Sequence, residues 1–324
     1  MRIYGFTSYG GPDVQAHLDV PEPEVGSGQL LVEMTAAGVN PADIKVRSGL
    51  RKEVAVAFPM PMGREAAGVV TAVGEGVTGF VPGQRVFGQT ATGTGALAER
   101  VLLAAGSSAV VPDGVEDAQA TCIPVSIGTA YDALDQLGLA AGETLLVMGA
   151  GGGVGTATCA LARLRGVRVV GVASVAKAEL VTELGATHVV SGDGWPDRVR
   201  AVAPGGVDAV FDLVGTPVLA DAFELAAVPS RVISIAAASE ATEAGGSGVE
   251  RRRTTEVFTL LVGLVAAGEL SPVVSATYPF DQAADAVAQV ETGHTAGNVV
   301  VVRSRQASAP AGQREAEPED QQAE

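Results

Sequence analysis

The apolar and polar positions of the chain follow two different patterns, which change at about residue 120. Before that point, short apolar runs alternate with turns rich in Gly and Pro, as in residues 66–88, AAGVVTAVGEGVTGFVPGQRVFG. Short strands with such turns are typical of a compact, β-barrel-like domain. After residue 143, strand-length apolar runs alternate with segments of helical periodicity, which predicts a doubly wound parallel sheet.

The alternating region gives a definite order of elements. Strands are predicted at 145–148, 167–173, 188–190, 208–213 and 231–236, and helices at 156–165, 176–184, 195–203 and 217–226. A stretch expected to be flexible, residues 239–253, precedes an apolar helix at 255–267. The segments after residue 270 read strand, helix, strand, and we expect them to return to the first domain. The prediction is a nucleotide-binding domain, residues 123–267, inserted into a β domain of residues 1–122 and 268–303.

Residues 143–155, ETLLVMGAGGGVG, join the first strand of this region to its first helix. The first amides of a helix have no intrahelical acceptor and carry the positive end of the helix dipole, so this turn is a candidate phosphate site. The dinucleotide fingerprint G-x-G-x-x-G fits with Ala150 in its first position, then Gly152 and Gly155. The alternative is an ordinary strand-to-helix turn. The residues predicted to bind the dinucleotide here are Gly152, Gly153, Val154 and Gly155.

Composition narrows the classes of protein that remain. With 324 residues, 47% of them hydrophobic, the chain has ample material for large cores. No signal-peptide pattern is present at the start, and the longest apolar stretch, 257–267, is shorter than a membrane span, so we expect a soluble, cytoplasmic protein. Two Cys without metal-ligand spacing suggest neither a disulfide framework nor a thiolate zinc site. The net charge of −16 disfavours a nucleic-acid partner. The acidic final residues, 304–324, are predicted to be disordered.

Several motifs together resemble the medium-chain dehydrogenase/reductase superfamily, in its quinone oxidoreductase or zeta-crystallin-like branch. The resemblance implies a GroES-like β-barrel catalytic domain, a Rossmann nucleotide-binding domain and a homodimer. The motifs are AAGVNPADIKVRSGL (36–50), the glycine-rich stretch at 66–88, GALAERV (95–101), GTAYDAL (128–134), GAGGGVG, DLVG (212–215) and GHTAGNVVV (293–301).

The zinc-dependent members of this superfamily differ from the chain at their metal ligands. They place a Cys where this chain has Asn40, and Gly-His-Glu where it has Gly63, Arg64 and Glu65. Without a Lewis acid, alcohol oxidation by the usual route is not expected. The sequence therefore predicts no metal and a reductase of an activated acceptor.

The segment after the second strand of the sheet bears on the choice of dinucleotide. NAD-selective folds place a carboxylate about twenty residues after the glycine turn, where this chain has Ala173, Ser174 and Val175. Ser174 is expected to donate a hydrogen bond, and Lys177 to supply charge, to the 2′-phosphate of NADPH. The alternative is that Lys177 is simply solvated. The resemblance implies a further Tyr contact, but Gly192 occupies that place.

The remaining site residues come from the resemblance. It places Asn40 and Thr129 near the nicotinamide. The amide of Asn40 is a candidate donor to the substrate oxygen, and its alternative role is to cap the turn before Pro41. Lys45 stands where many relatives have Tyr and is a candidate proton donor if it faces the cleft, although the sequence favours an exposed lysine over that role. Asp43 and Arg47 are expected to form a structural pair. The residues implied to line the cofactor cleft are Val214, Gly215 and Asn298, the last standing where the branch often has Lys.

Two functions of different classes follow. The first is an NADPH-dependent reductase that transfers hydride to a quinone or, alternatively, to the C=C bond of an α,β-unsaturated carbonyl. The second is a dinucleotide-binding protein without turnover, as crystallin use of the family suggests. Residues 251–253, Arg-Arg-Arg, are a candidate site for a phosphate-bearing substrate such as an acyl-CoA, or a solvated charge run.

Overall fold

The computed structural model describes residues 1–51 and 57–303 of the chain. The tail predicted to be disordered, residues 304–324, lies outside the described residues. The strands are β1 (Arg2–Phe6), β2 (Gln15–Asp19), β3 (Gln29–Val39), β4 (Met60–Pro61), β5 (Glu65–Val73), β6 (Arg85–Thr90), β7 (Arg100–Val110), β8 (Thr144–Met148), β9 (Arg168–Ala173), β10 (Thr187–Val190), β11 (Ala209–Asp212), β12 (Val232–Ser234), β13 (Val274–Pro279) and β14 (Asn298–Val302).

The helices complete the element order. They are α1 (Pro41–Arg47), α2 (Asp117–Ala120), α3 (Gly128–Leu137), α4 (Gly153–Leu164), α5 (Ala178–Glu183), α6 (Trp195–Val202), α7 (Thr216–Leu225), α8 (Ala238–Glu243), α9 (Thr255–Ala266) and α10 (Ala283–Glu291). A π-helical turn, Ile123–Ile127, leads directly into α3. Within the described residues, no helix is both long and apolar enough to cross a bilayer.

Five parallel strands form a sheet with the order β10-β9-β8-β11-β12. The near-continuous apolar runs of these strands are buried on both faces, as expected for parallel strands covered by helices. The strand order reverses between β8 and β11, and in open α/β sheets ligands bind at that point, beyond the carboxyl ends of the strands. The predicted α/β fold class is confirmed.

The antiparallel strands form a curled sheet with the order β13-β14-β3-β5-β6-β7, and β3 also pairs with β7. Residues Leu30–Glu33 of β3 face both β5 and β7, so β3, β5, β6 and β7 close into a barrel. The far end of β3 pairs with β14, where Val39 faces Val299. The last strand of the described chain therefore lies in the same sheet as the first half of the sequence.

The two halves share a hydrophobic core. One buried cluster includes residues of the barrel, the π-helical turn, α3, α4 and α9. Phe87 of β6 and Phe258 of α9 are fully buried, and their ring centroids are 6.0 Å apart. Burial of two aromatic rings at this junction fixes the barrel against the parallel sheet.

The stretch at 239–253 is held in place, contrary to the prediction of a flexible segment. Part of it is helix α8, and Ser247 extends the edge of the parallel sheet, because its N–H donates to Val232 O and its carbonyl accepts from Ser234 N, both at 3.0 Å. The next residues lie against α3: Gln136 donates to Gly248 O and accepts from Glu250 N, both at 3.0 Å. These bonds replace the water contacts that a flexible polar segment would make.

Candidate active site

The glycine-rich loop turns sharply between β8 and α4. Gly149 has φ = +81°, in the left-handed region that favours glycine. A Cβ atom at Gly155 would lie 2.3 Å from Gly149 O, so only glycine lets α4 pack this closely on the loop. A Cβ at Gly152 would meet nothing closer than 3.7 Å. The loop is therefore crowded on its inner side and open at Gly152, where a ligand can approach the backbone.

The first amides of α4 are available to a ligand. The helix begins after Gly152, and Thr156 N is the first to donate to a helical carbonyl, Gly152 O, at 2.8 Å. The N–H groups of Gly153, Val154 and Gly155 have no acceptor among residues 1–51 and 57–303. They lie at the positive end of a twelve-residue helix. This arrangement fits the pyrophosphate of a dinucleotide.

A second turn flanks the glycine-rich loop at the carboxyl end of β11. The fully buried carboxylate of Asp212 accepts from Val214 N at 2.9 Å, from Gly215 N at 3.0 Å and from Ser234 Oγ at 2.6 Å. A Cβ at Gly149 would lie 3.3 Å from a methyl group of Val214, so the two turns are neighbours. Sequence reasoning found Val214 and Gly215 but not the role of Asp212 in shaping their turn.

Ser174 and Lys177 follow the carboxyl end of β9, the strand next to β8. Ser174 is exposed. The Lys177 stem packs on Gly151, where a Cβ would lie 2.4 Å from Lys177 Cδ, and its ammonium donates to Thr295 O at 2.6 Å. Burial lowers the pKa of the Lys177 ammonium. Lys177 is thus not simply solvated: it lies between the glycine-rich loop and the segment before β14.

Asn298 joins three elements at the start of α4. Its Oδ1 accepts from Ser126 Oγ at 2.6 Å, and its Nδ2 donates to Val273 O at 3.0 Å. A Cβ at Gly153 would lie 2.5 Å from Asn298 Oδ1. The residue expected to line the cofactor cleft therefore also fastens β14 and the π-helical turn to the glycine-rich loop.

Asn40 is bonded to a buried carboxyl group. Its Nδ2 donates to Glu65 Oε1 at 2.7 Å, and the other oxygen of Glu65 accepts from Val125 N at 2.8 Å. Asn40 is also the N-cap of α1, and its backbone N–H donates to Asp43 Oδ2 at 2.8 Å. One proton of the Asn40 side-chain amide is thus bonded to Glu65, and Asn40 also occupies the capping position before Pro41 that was its alternative role.

The two carboxyl groups at this site have altered acidity. Burial raises the pKa of Glu65 to about 8, although its hydrogen bonds from Asn40 and Val125 oppose the shift. Burial raises the pKa of Asp43 to about 7. Asp43 Oδ1 is buried without a hydrogen-bond partner among the described residues. Burial therefore favours the neutral, protonated form of both carboxyl groups.

Sequence reasoning missed the parts that Glu65 and Asp43 play here. The sequence indicates Glu65 only as the last residue of the altered zinc motif, and Asp43 only as the expected partner of Arg47. The expected Asp43–Arg47 pair is wrong, because Arg47 Nη2 lies 2.5 Å from Glu291 Oε1 of α10. The local pattern of apolar and polar positions cannot predict a contact between residues that lie 244 positions apart in the sequence.

Thr129 and Lys45 differ in their placement. Thr129 is buried in the first turn of α3, and its hydroxyl makes no hydrogen bond to any described residue. Lys45 lies on the exposed face of α1, whereas Asp43 is buried. The structure brings Lys45 into contact with none of the other predicted site residues that it describes, and its role as a proton donor stays a prediction.

A cavity of about 220 Å³ opens beside Asp43 and Arg64. Phe6, Val46, Met60 and Met62 supply apolar wall, and the segment 89–94 supplies polar wall. The cavity lies on the Asp43 side of α1, so α1 separates its volume from exposed Lys45. Within residues 1–51 and 57–303, no group of three His, Cys, Asp or Glu side chains is placed to hold a metal ion.

Two family models match the chain. One described as "Alcohol dehydrogenase GroES-like domain" matches residues 26–113, and one described as "Zinc-binding dehydrogenase" matches residues 184–301. The first covers the barrel strands β3, β5, β6 and β7, together with β4. The second covers the part of the parallel sheet after β9 together with β13 and β14.

Individual proteins match over nearly the whole chain. The quinone oxidoreductase of Rattus norvegicus is 32% identical over 308 residues, covering 88% of this chain and 92% of that protein. The chloroplastic NADPH-dependent alkenal/one oxidoreductase of Arabidopsis thaliana is 30% identical over 313 residues, covering 93% and 79%.

Solved structures agree with these relatives. The quinone oxidoreductase from Coxiella burnetii superimposes with a TM-score of 0.84 at 26% identity, over 93% of this chain and 99% of that one. A mycobacterial protein solved in complex with NADPH gives a TM-score of 0.81 at 31% identity, over 93% and 100%. The barrel, the parallel sheet with its glycine-rich loop, and these similarities together show that the chain belongs to the medium-chain dehydrogenase/reductase superfamily, in its quinone oxidoreductase branch.

Proposed function

We propose that this oxidoreductase uses NADPH to reduce a quinone by hydride transfer. The observation that carries the proposal is the glycine-rich loop, whose free amides open at Gly152 toward the reversal point of the sheet. The similarity to a quinone oxidoreductase and to a protein that binds NADPH supports both parts of the proposal.

The residues of the chain then have distinct tasks. When bound, NADPH supplies the hydride. The N-terminal amides of α4 hold the pyrophosphate, and Ser174 and Lys177 contact the 2′-phosphate. Hydride transfer develops negative charge on the acceptor oxygen, so catalysis needs a hydrogen-bond donor near that oxygen. The Thr129 hydroxyl and the second proton of the Asn40 amide are the candidate donors. Glu65 positions Asn40 through the 2.7 Å bond between them.

Reduction of the C=C bond of an α,β-unsaturated carbonyl is the second candidate. It is favoured by the similarity to an alkenal/one oxidoreductase and to a 2-methylene-furan-3-one reductase of Solanum lycopersicum, 30% identical over 313 residues. Steady-state rates of NADPH oxidation with naphthoquinones, alkenals, enones and enoyl thioesters decide between the two. Tight NADPH binding without turnover of any acceptor would instead support the non-catalytic, crystallin-like role. Activity confined to saturated alcohols would contradict both reductase proposals.

The choice of dinucleotide is tested at Lys177. We expect the wild type to bind NADPH more tightly than NADH, and Lys177→Ala to weaken NADPH binding about 10-fold while NADH binding changes less, since a charge-assisted hydrogen bond is lost. Arg168→Ala is the control, because exposed Arg168 begins β9 at the opposite edge of the sheet and its loss should leave the ratio unchanged. Equal dissociation constants for the two dinucleotides in the wild type would refute the preference. Calorimetric titration provides all of these constants.

We further propose a cytoplasmic homodimer, because the resemblance to the family implies one. The outer side of β12 already pairs with Ser247, so joining that edge to a second copy would require Ser247 to leave it. Light scattering after size exclusion measures the mass directly, and a monomer at micromolar concentration would refute the dimer.

A further inference from the structure

One carboxyl group of the candidate site has an oxygen atom that the protein leaves unbonded. Asp43 lies in the first turn of α1 and is only 3% exposed. Its Oδ2 accepts from Asn40 N at 2.8 Å, whereas its Oδ1 is buried and bonds to no described residue. Buried polar atoms are almost always hydrogen-bonded, so this oxygen calls for a partner from outside the chain.

Asp43 is also part of the wall of the cavity of about 220 Å³. A cavity of about 150 Å³ is enough to hold benzene, so this one has room for a single substituted ring. Phe6 and Met62 offer such a ring an apolar surface. Gln89, half-buried in the same wall, has a side-chain amide that makes no hydrogen bond with any described residue. The cavity therefore suits a small ring that carries a polar group at its edge.

A chain of hydrogen bonds connects Asp43 with the start of α4. Asp43 is bonded to the backbone of Asn40, and the Asn40 amide donates to Glu65 Oε1 at 2.7 Å. The other oxygen of Glu65 accepts from Val125 N at 2.8 Å, and the next residue, Ser126, packs at the start of α4. The proposed function places the Asn40 amide at the acceptor oxygen, and Asp43 is the acid of the cavity wall that is bonded to Asn40.

The surroundings of Asp43 bring its acidity close to neutral pH. Burial raises the pKa of Asp43 to about 7, although the hydrogen bond from Asn40 and the positive charges of Arg64 and Arg51 oppose the shift. Further ionisable groups on α1 and on the elements packed against it are Lys45, Arg47, Glu65 and Glu291. A general acid is most effective when its pKa lies near the operating pH, so Asp43 is suited to that role.

The proposed reduction needs a proton as well as a hydride. The hydride adds to one end of the conjugated system of the acceptor, and the displaced electron pair collects on the oxygen at the other end. The Asn40 amide and the Thr129 hydroxyl can bond that oxygen, but neither gives up its proton near neutral pH. Lys45, the proton donor expected from the sequence, lies on the exposed face of α1. Asp43 is the acid that faces the cavity from the buried side of the same helix.

We propose that Asp43 is the proton donor of the reaction and that the cavity beside it holds the ring of the acceptor. The Oδ1–H bond of Asp43 breaks as an O–H bond forms on the acceptor oxygen, so the acceptor gains one hydride and one proton. The Asp43 carboxylate recovers its proton from water before the next turnover. The proposal rests on the proposed reductase function and adds to it the source of the proton.

The first test compares wild type with Asp43→Asn, which keeps an acceptor for Asn40 N but cannot give up a proton. The measurement is kcat/KM with NADPH between pH 6 and pH 9, for the better acceptor of 2,6-dimethyl-1,4-benzoquinone and 2-cyclohexen-1-one. We expect the wild-type value to fall about 10-fold or more as pH rises, because Asp43 loses its proton. The Asp43→Asn value should be about 100-fold lower than wild type at pH 6 and independent of pH.

Asp285→Asn is the control, because it removes the same group from the first turn of α10, where Asp285 is exposed. It should leave kcat/KM and its pH dependence unchanged. A wild-type value that does not fall, or an undiminished value for Asp43→Asn, overturns the proposal. A slow Asp43→Asn whose kcat/KM still falls with rising pH also overturns it, since a structural defect alone would give that result.

The second test depends neither on turnover nor on a variant. Dicyclohexylcarbodiimide attacks protonated carboxyl groups, and peptide mapping by mass spectrometry identifies the modified residue. In the wild type with NADP⁺, we expect Asp43 to be modified faster at pH 6 than at pH 9. The reduced product 2,6-dimethyl-1,4-hydroquinone should slow this modification about 10-fold, because a bound ring covers the carboxyl group.

Absence of modification at Asp43, equal rates at the two pH values, or no protection by the hydroquinone refutes a proton donor in an acceptor cavity. If no acceptor is reduced by any form of the protein, the reductase proposal fails. The modification experiment still decides whether Asp43 is an acid that a ring in the cavity covers.

Discussion

Glu65 illustrates how burial controls the acidity of a single side chain at this site. The resemblance to zinc enzymes points to Asn40 and Arg64 as altered positions, whereas Gly63 and Glu65 of the triplet keep their identity. The environment of Glu65 in this chain depends on hydrogen bonds from two separate segments, at Asn40 and at Val125. The sequence supplies the residue types, but the burial that raises the pKa arises only when those segments meet.

The raised pKa of Glu65 makes stability depend on pH. The folded-state pKa is about 8 against 4.5 for an ordinary glutamate, so the unfolded state releases this proton at lower pH. The free energy of unfolding should therefore fall as pH rises from about 5 to about 8. Relative to Glu65→Gln, we expect the wild type to lose at least about 1 kcal/mol over that range, measured by urea unfolding.

Glu143 provides the control for this experiment. The pKa of Glu143 is lowered, first by the hydrogen bond from Ala140 N and then by the one from Arg231. Its contribution to the free energy of unfolding is therefore already complete at pH values above the ordinary pKa of glutamate. The difference between wild type and Glu143→Gln should stay constant between pH 5 and 8. A Glu65→Gln difference that is equally constant would show that this carboxyl group is ionised in the folded protein.

At the scale of elements, periodicity predicts most of the structure. The alternating strands and helices of the parallel sheet lie within a few residues of their predicted positions, because buried parallel strands and amphipathic helices have strong local signals. The strand predicted at 231–236 is shorter, Val232–Ser234, since a 3₁₀ turn precedes it. The π-helical turn at Ile123–Ile127 was not predicted. Its apolar sequence is compatible with an ordinary helix, and the bonds of Val125 N and Ser126 Oγ come from distant segments.

Two glycines of the glycine-rich loop should respond oppositely to alanine. Gly155→Ala places a methyl group 2.3 Å from Gly149 O, and we expect it to lower the free energy of unfolding by about 1–3 kcal/mol. Gly152→Ala meets no atom closer than 3.7 Å, so it should leave stability nearly unchanged and weaken NADPH binding about 10-fold by blocking backbone approach. Urea unfolding and calorimetric titration separate the two effects. Undiminished NADPH affinity in Gly152→Ala would place the pyrophosphate elsewhere.

The ion pair between α1 and α10 is expected to be a strong structural contact. The Arg47 side chain is 2% exposed and bonds Glu291, Gln15 and Gly10. Arg47→Ala removes this buried side chain together with its hydrogen bonds, and should lower the free energy of unfolding by about 3 kcal/mol, measured by urea unfolding. Arg2→Ala breaks an exposed pair with Asp281 and should change it by less than about 1 kcal/mol. Equal effects of the two substitutions would mean that the burial of Arg47 carries no energetic weight.

At the scale of the whole molecule, the shared core couples the barrel to the parallel sheet. Phe258→Ala removes a fully buried ring at the junction and should lower the free energy of unfolding by about 3 kcal/mol. The only tryptophan of the chain, Trp195, is buried in the parallel-sheet half, so its fluorescence reports that half, whereas far-UV circular dichroism reports both. We expect the two transitions to coincide in wild type and variant. Separate transitions would show that the halves unfold independently.

The overall architecture follows from the two patterns of apolar positions and from motifs in a fixed order. What the sequence does not supply is the set of contacts between distant segments: Arg47 with Glu291, Asn40 with Glu65, and Lys177 with Thr295. Each depends on the way the barrel is placed against the sheet, and local periodicity carries no information about that placement.

The segment just before β14 has a consequence for biosynthesis. Gly297 N donates to Gly151 O at 2.9 Å, Thr295 accepts from Lys177, and Asn298 packs on Gly153. The glycine-rich loop is thus completed by residues made about 140 positions later in a chain that is synthesised from its N-terminus. A chain that is terminated before this segment lacks the residues that bond and pack against the glycine-rich loop. Retention on an immobilised dinucleotide should therefore distinguish finished chains from prematurely terminated ones.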